Sequence, residues 1–198
     1  MQLFQWFILV SICLINSYAN ANRDWTIEDS ELLALHNAYR QGVKYGKVQN
    51  QPPAMDIPNL MWSYELVNIS KSWATTCQPY PSKITMSGDG EAGWISVGQN
   101  VAAVPNVRDA VALWFNEYSN YDFEANKCKG NRKCANYKQL VFSETTQVGC
   151  AYKRCDNFKA PNDIVVVCSY GPGGEYFSRR PYTASIDPQD EEDVFYEF

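Results

Sequence analysis

Seven cysteines and a single histidine set the limits of the chemistry open to this chain. Cys77 stands in SWATTC, Cys128 and Cys134 in NKCKGNRKC, Cys150 in TQVGC, Cys155 in KRC and Cys168 in VVVCSYGPGG. None of them is paired at the C-x-x-C spacing of a zinc site, and no cluster of histidines makes up for that. His36 is the one imidazole, so a serine or cysteine nucleophile would lack its commonest base. A carboxylate pair remains a possible acid–base device, and nothing in the spacing singles one out. The cysteines read instead as structural.

That reading depends on compartment. Residues 3–15 form an apolar run, and Ala19-Asn20-Ala21 fits the small-x-small pattern of secretory cleavage. The run is too short to span a bilayer comfortably, and no later stretch is long and apolar enough to do so. A signal peptide over residues 1–21 removes Cys13 and leaves six cysteines in a secreted chain, an even number that argues for three disulfides. Sequence alone leaves fifteen pairings open. The chain has 17 basic and 22 acidic residues, but Asp187, Asp190, Glu191, Glu192, Asp193 and Glu197 crowd the acidity into a tail over 185–198. The rest is nearly neutral, with no basic stripe to suggest nucleic-acid binding.

Three amphipathic helices must position whatever site exists. The first spans about 28–45, with Thr26 and Asp29 as a capping box and Leu32, Leu35, His36, Tyr39 and Val43 on one face. The second spans about 64–77, with Ser63 as N-cap and Leu66, Ile69, Trp73, Ala74 and Cys77 on one face. The third spans about 107–121, capped by Asn106, with Val107, Ala110, Val111, Trp114, Phe115 and Tyr118 as its stripe. Strands are expected at 146–152 and 164–170, with a third in 95–104. Helices around a small antiparallel sheet make an α+β domain. Asn68-Ile69-Ser70 is a glycosylation sequon on the second helix.

The motifs ELLALHNAYR, MWSYELVNISKSWA, GQNVA, AVALWFNEYSNYD, YKQLVFSETTQVGC, VVVCSYGPGGEY and RRPY, in this order, resemble the CAP superfamily of cysteine-rich secretory, antigen 5 and pathogenesis-related proteins, most of all its secreted venom-allergen-like members. The resemblance implies an α-β-α sandwich over residues 22–184, with disulfides Cys77–Cys155, Cys128–Cys134 and Cys150–Cys168. The first of these closes a long loop, which contributes on the order of 4 kcal/mol in the chain-entropy treatment.

The resemblance also implies a central cavity that in many members holds two histidines and two glutamates around a divalent metal. Here Gln99 stands for one glutamate and Asn136 for one histidine, no histidine follows Cys77, and Glu117 alone is kept. Amide side chains are poor transition-metal ligands, so neither metal nor cofactor is expected and catalysis is disfavoured. His36 reads as packing. What remains is binding of fatty acids or sterols. The resemblance implies an acyl groove between the first and third helices, lined by Leu35, Tyr39, Val43, Val111, Phe115 and Tyr118, and a sterol loop at Trp94 and Ile95. The alternative is an extracellular protein-interaction or immune-modulating module in which lipid is incidental.

Overall fold

The computed structural model describes residues 26–82, 96–174 and 179–185. The expected signal peptide, Trp94 and Ile95, and the acidic tail beyond Ser185 lie outside the described residues. The chain divides into two compact units, residues 1–30 and 31–198. Of the first, the described part is a helix start. The Thr26 N–H donates to Asp29 Oδ2 at 3.2 Å and the Asp29 N–H to Thr26 Oγ1 at 3.1 Å, the reciprocal capping pair expected from sequence.

Among the described residues, four α-helices and six strands follow in order: α1 (Ile27–Lys44), β1 (Met61–Trp62), α2 (Tyr64–Ala74), β2 (Gly98–Val104), α3 (Val107–Asn116), a 3-10 turn (Glu117–Asn120), β3 (Tyr121–Asp122), β4 (Lys127–Cys128), α4 (Ala135–Leu140), β5 (Gln147–Arg154) and β6 (Ile164–Gly171). The main sheet runs β1-β5-β6-β2. Its three long strands are antiparallel, and the two-residue β1 joins β5 in parallel, so the sheet is mixed at one edge. β3 and β4 form a separate ribbon.

Two helices stop earlier than periodicity predicts. In α2 the Thr75 and Thr76 hydroxyls donate back to the Ser72 and Trp73 carbonyls, each at 2.7 Å, taking up acceptors that the helix leaves orphaned at its end. Cys77 then turns to φ 54° before bonding Cys155. α3 ends at Asn116, where the chain tightens into the 3-10 turn that begins with Glu117. At the N-termini, Ser63 Oγ accepts from the Leu66 N–H and Asn106 Oδ1 from the Arg108 N–H.

The side chains of β6 alternate across the sheet, which makes two cores. Val166, Cys168 and Tyr170 join Leu32, Val43, Val111 and Trp114 on the α1/α3/α4 side. Val165 and Val167 pack with Val101, Ala74 and Cys155 on the α2 side. Helix α2 lies so close to the sheet that a Cβ on Gly149 would stand 2.3 Å from the Val67 nitrogen and 2.4 Å from the Ser63 carbonyl oxygen. The result is an α-β-α sandwich. Its disulfides are Cys77–Cys155, Cys128–Cys134 and Cys150–Cys168, the pairing the resemblance implies.

Candidate functional site

Glu117 leaves α3 at the start of the 3-10 turn, so its carboxylate points at the beginning of α4. Both oxygens are engaged there. Oε1 accepts from Asn136 Nδ2 at 2.7 Å, and Oε2 accepts from the backbone N–H groups of Asn136 at 2.9 Å and Tyr137 at 3.3 Å. An anion placed on the orphan N–H groups of a helix start is a structural cap. Cys134, the residue before α4, offers no side-chain cap of its own.

From Asn136 a chain of hydrogen bonds runs inward. Its carbonyl accepts from Asn100 Nδ2 at 3.0 Å, which also donates to the Tyr170 hydroxyl oxygen at 3.2 Å. That hydroxyl meets His36 Nε2 at 2.8 Å, and His36 Nδ1 meets the Leu32 carbonyl at 2.7 Å. A carbonyl only accepts, so Nδ1 carries the proton and Nε2 accepts from Tyr170. Burial is the main reason the His36 imidazole falls to about 4 from its usual 6.5, with the nearby Arg40 cation adding to it against the Leu32 bond. The Tyr170 hydroxyl is pushed up by the same burial. His36 is therefore a neutral packing residue, tied to Glu117 through Tyr170, Asn100 and Asn136.

Gln99 does not belong to this chain. One residue before Asn100 on β2, it projects from the other face of the sheet. Its Nε2 donates to Ser169 Oγ at 3.2 Å and its Oε1 accepts from the Ser82 N–H at 2.8 Å. Ser169 Oγ lies 2.9 Å from Ser70 Oγ on α2, and Ser70 donates to the Gly149 carbonyl at 2.7 Å. Of the three residues expected to share a cavity, the structure brings Glu117 and Asn136 together and leaves Gln99 across the sheet.

These groups do not fit a divalent ion. Glu117 has both oxygens occupied and its neighbour is a neutral amide. Among the described residues, the trio of metal-ligand types that does converge is His36, Cys150 and Cys168, but those two sulfurs are bonded to each other.

The expected acyl groove is a seam with a filled floor. Val43 and Val111 are fully buried and Phe115 is buried. The Tyr39 and Phe115 rings stack at 4.1 Å, 18° from parallel, with Tyr118 beside them at 5.5 Å from Phe115. Leu35, Tyr39 and Tyr118 remain half-buried along the top. Glu31 closes one end with a bidentate pair to Arg108 at 2.7 and 2.6 Å. Open space of about 780 Å³ lies elsewhere, in a cleft bordered by Phe123, Glu124, Phe142, Glu144, Arg179 and Arg180. Asn68 is exposed, whereas Ser70 of its sequon is buried.

Arg40 was not singled out by the sequence reading. It is fully buried and donates to four carbonyls: Pro58 at 2.8 Å, Leu140 at 3.0 Å, Phe142 at 2.9 Å and Thr145 at 3.2 Å. Burial lowers the guanidinium to about 9, which still leaves it charged at neutral pH. The signal was its spacing: Leu32, His36, Arg40 and Val43 form the buried stripe of α1, so a cation four residues after His36 sits on the apolar face.

Comparison with known proteins agrees with the fold and the cysteine framework. Residues 33–170 match the CAP domain of the Cysteine-rich secretory protein family. The chain is 33% identical over 157 residues to human GLIPR1-like protein 1, covering 76% of this chain and 60% of that protein. It is 30% identical over 170 residues to venom allergen 5 of the wasp Polistes fuscatus, covering 80% of each. In three dimensions it resembles venom allergen-like protein 4 of Schistosoma mansoni, with a TM-score of 0.71, 32% identity, and coverage of 83% of this chain and 99% of that one. The chain spans about 60% of the length of the mammalian GLIPR1-like relatives from mouse and human. No helix among the described residues is long and apolar enough to cross a membrane. On its family match and its relatives, the chain belongs to the Cysteine-rich secretory protein family.

Proposed function

We propose that this protein is a secreted, non-enzymatic binding domain that takes acyl lipids along the α1–α3 seam without a metal. The observation that carries the reading is the half-exposed strip of Leu35, Tyr39 and Tyr118 above a buried apolar floor. An acyl chain gains about 0.8 kcal/mol for each methylene withdrawn from water, so roughly ten methylenes laid along the seam over the Tyr39 and Tyr118 rings correspond to micromolar binding in a dry site. Support for a non-catalytic role comes from the saturated Glu117 carboxylate and the buried, neutral His36. Secretion with cleavage after Ala21 makes Asn22 the mature N-terminus, which N-terminal sequencing reads. Glycan at Asn68 is read by the mass lost on enzymatic deglycosylation.

The test is titration of the purified domain with fluorescent palmitate. Leu35→Glu places a charge on the rim and is expected to weaken binding by about tenfold or more. Val111→Trp is a poor probe, because Val111 is fully buried and a larger side chain strains the core. Trp94→Ala tests a separate sterol site with labelled cholesterol. If the folded wild-type domain binds neither probe, the lipid reading fails. The second reading, a protein-interaction module, then takes over. It is favoured by the cleft at Arg179 and Arg180, where the Arg180 guanidinium lies 5.5 Å from the Phe123 ring and Arg179 pairs with Glu144 at 2.6 Å.

A further inference from the structure

Residues 127–133, KCKGNRK, carry four cations, and Lys127, Lys129, Arg132 and Lys133 are all exposed. The chain as a whole has a net charge of -5, so this concentration runs against the overall balance. The loop is held rigidly. Cys128–Cys134 closes it, and the β3–β4 ribbon pairs Tyr121 with Cys128 and Asp122 with Lys127. Asn120 grips both sides: its carbonyl accepts from the Lys129 N–H at 2.7 Å and its Nδ2 donates to the Lys133 carbonyl at 3.0 Å. Gly130 supplies the left-handed position, φ 58°, that the tip requires.

Among the described residues these cations have no acidic partner. The ion pairs among the described residues are Arg108–Glu31, Arg154–Asp163, Arg179–Glu144 and Arg180–Glu124, and none includes a cation of this loop. Lys129 Nζ rests on a neutral carbonyl, that of Ser119, at 3.1 Å. Asp122, opposite Lys127, accepts from the Ala125 N–H through Oδ1. Four cations are thus fixed on one short loop, a local positive field that the near-neutral composition of the body conceals.

We propose that this disulfide-clamped loop is a docking surface for a sulfated polysaccharide outside the cell. A linear polyanion gains by releasing its counterions onto fixed cations, and a loop ordered before binding loses little conformational freedom. The surface suits a polysaccharide better than the other polyanions. A membrane-surface segment buries apolar side chains among the headgroups, and this stretch offers none. Single-stranded nucleic acid is gripped by aromatic stacking platforms, and residues 127–133 hold no aromatic. The surface shares no residue with the α1–α3 seam.

The test uses the full-length, disulfide-intact protein on immobilised heparin, with a solution titration of heparin oligosaccharide at several salt concentrations. Lys129→Glu/Arg132→Glu is compared with Lys71→Glu/Lys159→Glu, which makes the same change of charge at exposed lysines elsewhere. The loop variant is expected to lose about tenfold or more in affinity and to show a flatter salt dependence, while the control stays within about twofold of wild type. Lys129→Arg/Lys133→Arg is expected to bind as wild type does. Circular dichroism and a free-thiol assay establish that each variant is folded and oxidised. The proposal is overturned if wild type is not retained on heparin at low salt, or if loop and control variants weaken equally. It is overturned also if phosphatidylserine vesicles bind more tightly than heparin.

Discussion

On the α1/α3/α4 side of the sheet, polar groups form a relay of long side chains: His36, Tyr170, Asn100, Asn136 and Glu117. On the α2 side they form a compact knot of Ser70, Ser169 and Gln99 beneath a helix that touches the sheet backbone. The difference follows from how close each helix comes. Where α2 presses on Gly149, only hydroxyls and one amide fit. Where α1 and α3 stand off, aromatic and amide side chains fill the gap. The parity of β2 and β6 assigns neighbouring residues, Gln99 and Asn100 or Ser169 and Tyr170, to opposite networks. What resembles one cavity in a linear motif is here two separate polar networks, one on each side of the sheet.

The first face depends most on Arg40. Replacing it by methionine removes the donors for four buried carbonyls and is expected to cost about 3–5 kcal/mol in chemical denaturation. Arg40→Lys is expected to recover little, because an ammonium cannot span the four acceptors that the planar guanidinium reaches. A loss under 1 kcal/mol for either variant means that the carbonyls find other donors.

The second face depends on contact distance. Gly149→Ala sets a methyl against the α2 backbone and is expected to destabilise by about 3 kcal/mol. Palmitate binding on the far side should be unchanged in the folded fraction. Equal disturbance of both properties shows that the two faces are one mechanical unit.

Acid separates the faces next. In the unfolded chain His36 takes a proton near pH 6.5; in the folded protein it resists until about 4. Between those values the unfolded state holds the extra proton, so stability is full above pH 6.5 and falls as the pH is lowered toward 4, by about 3 kcal/mol in all. The difference between the stability–pH curves of wild type and His36→Gln isolates this contribution, and parallel curves over that window refute it.

The smallest expected effect bears on the division itself. Gln99→Glu with Asn136→His, which family resemblance suggests as a restored metal site, is expected to cost about 2 kcal/mol, since a buried carboxylate at 99 cannot donate to Ser169. No stoichiometric zinc site should appear in calorimetry, because the two new ligands lie across the sheet from each other. Micromolar zinc binding by this pair requires both side chains on one face and contradicts the geometry described.

Much of the architecture was legible in advance. The caps at Thr26, Ser63 and Asn106, the β-branched run of β6 and the apolar stripes of the helices are local patterns, set by backbone donors and by a period of 2 or 3.6 that any reader of the chain can count. The early ends of α2 and α3 were not legible, because threonine back-bonding and a tightened turn do not interrupt apolar spacing. The half-exposure of Leu35, Tyr39 and Tyr118 above a buried floor was likewise invisible, since periodicity marks a face without saying how much of it a neighbour covers.

By itself, the sequence determined the chemistry on offer: one histidine, one glutamate kept where the family resemblance implies a metal, six cysteines in contexts that match the family, and the motifs that name it. Only the tertiary structure decided which of those groups meet. It sent Gln99 and Asn136 to opposite sides of the sheet, gave Glu117 to the start of α4, buried Arg40 among carbonyls and left the 127–133 cations without an ion pair among the described residues. Residue type is a property of the chain, whereas the face of a strand and the distance to a charge are set by elements remote in sequence packing together.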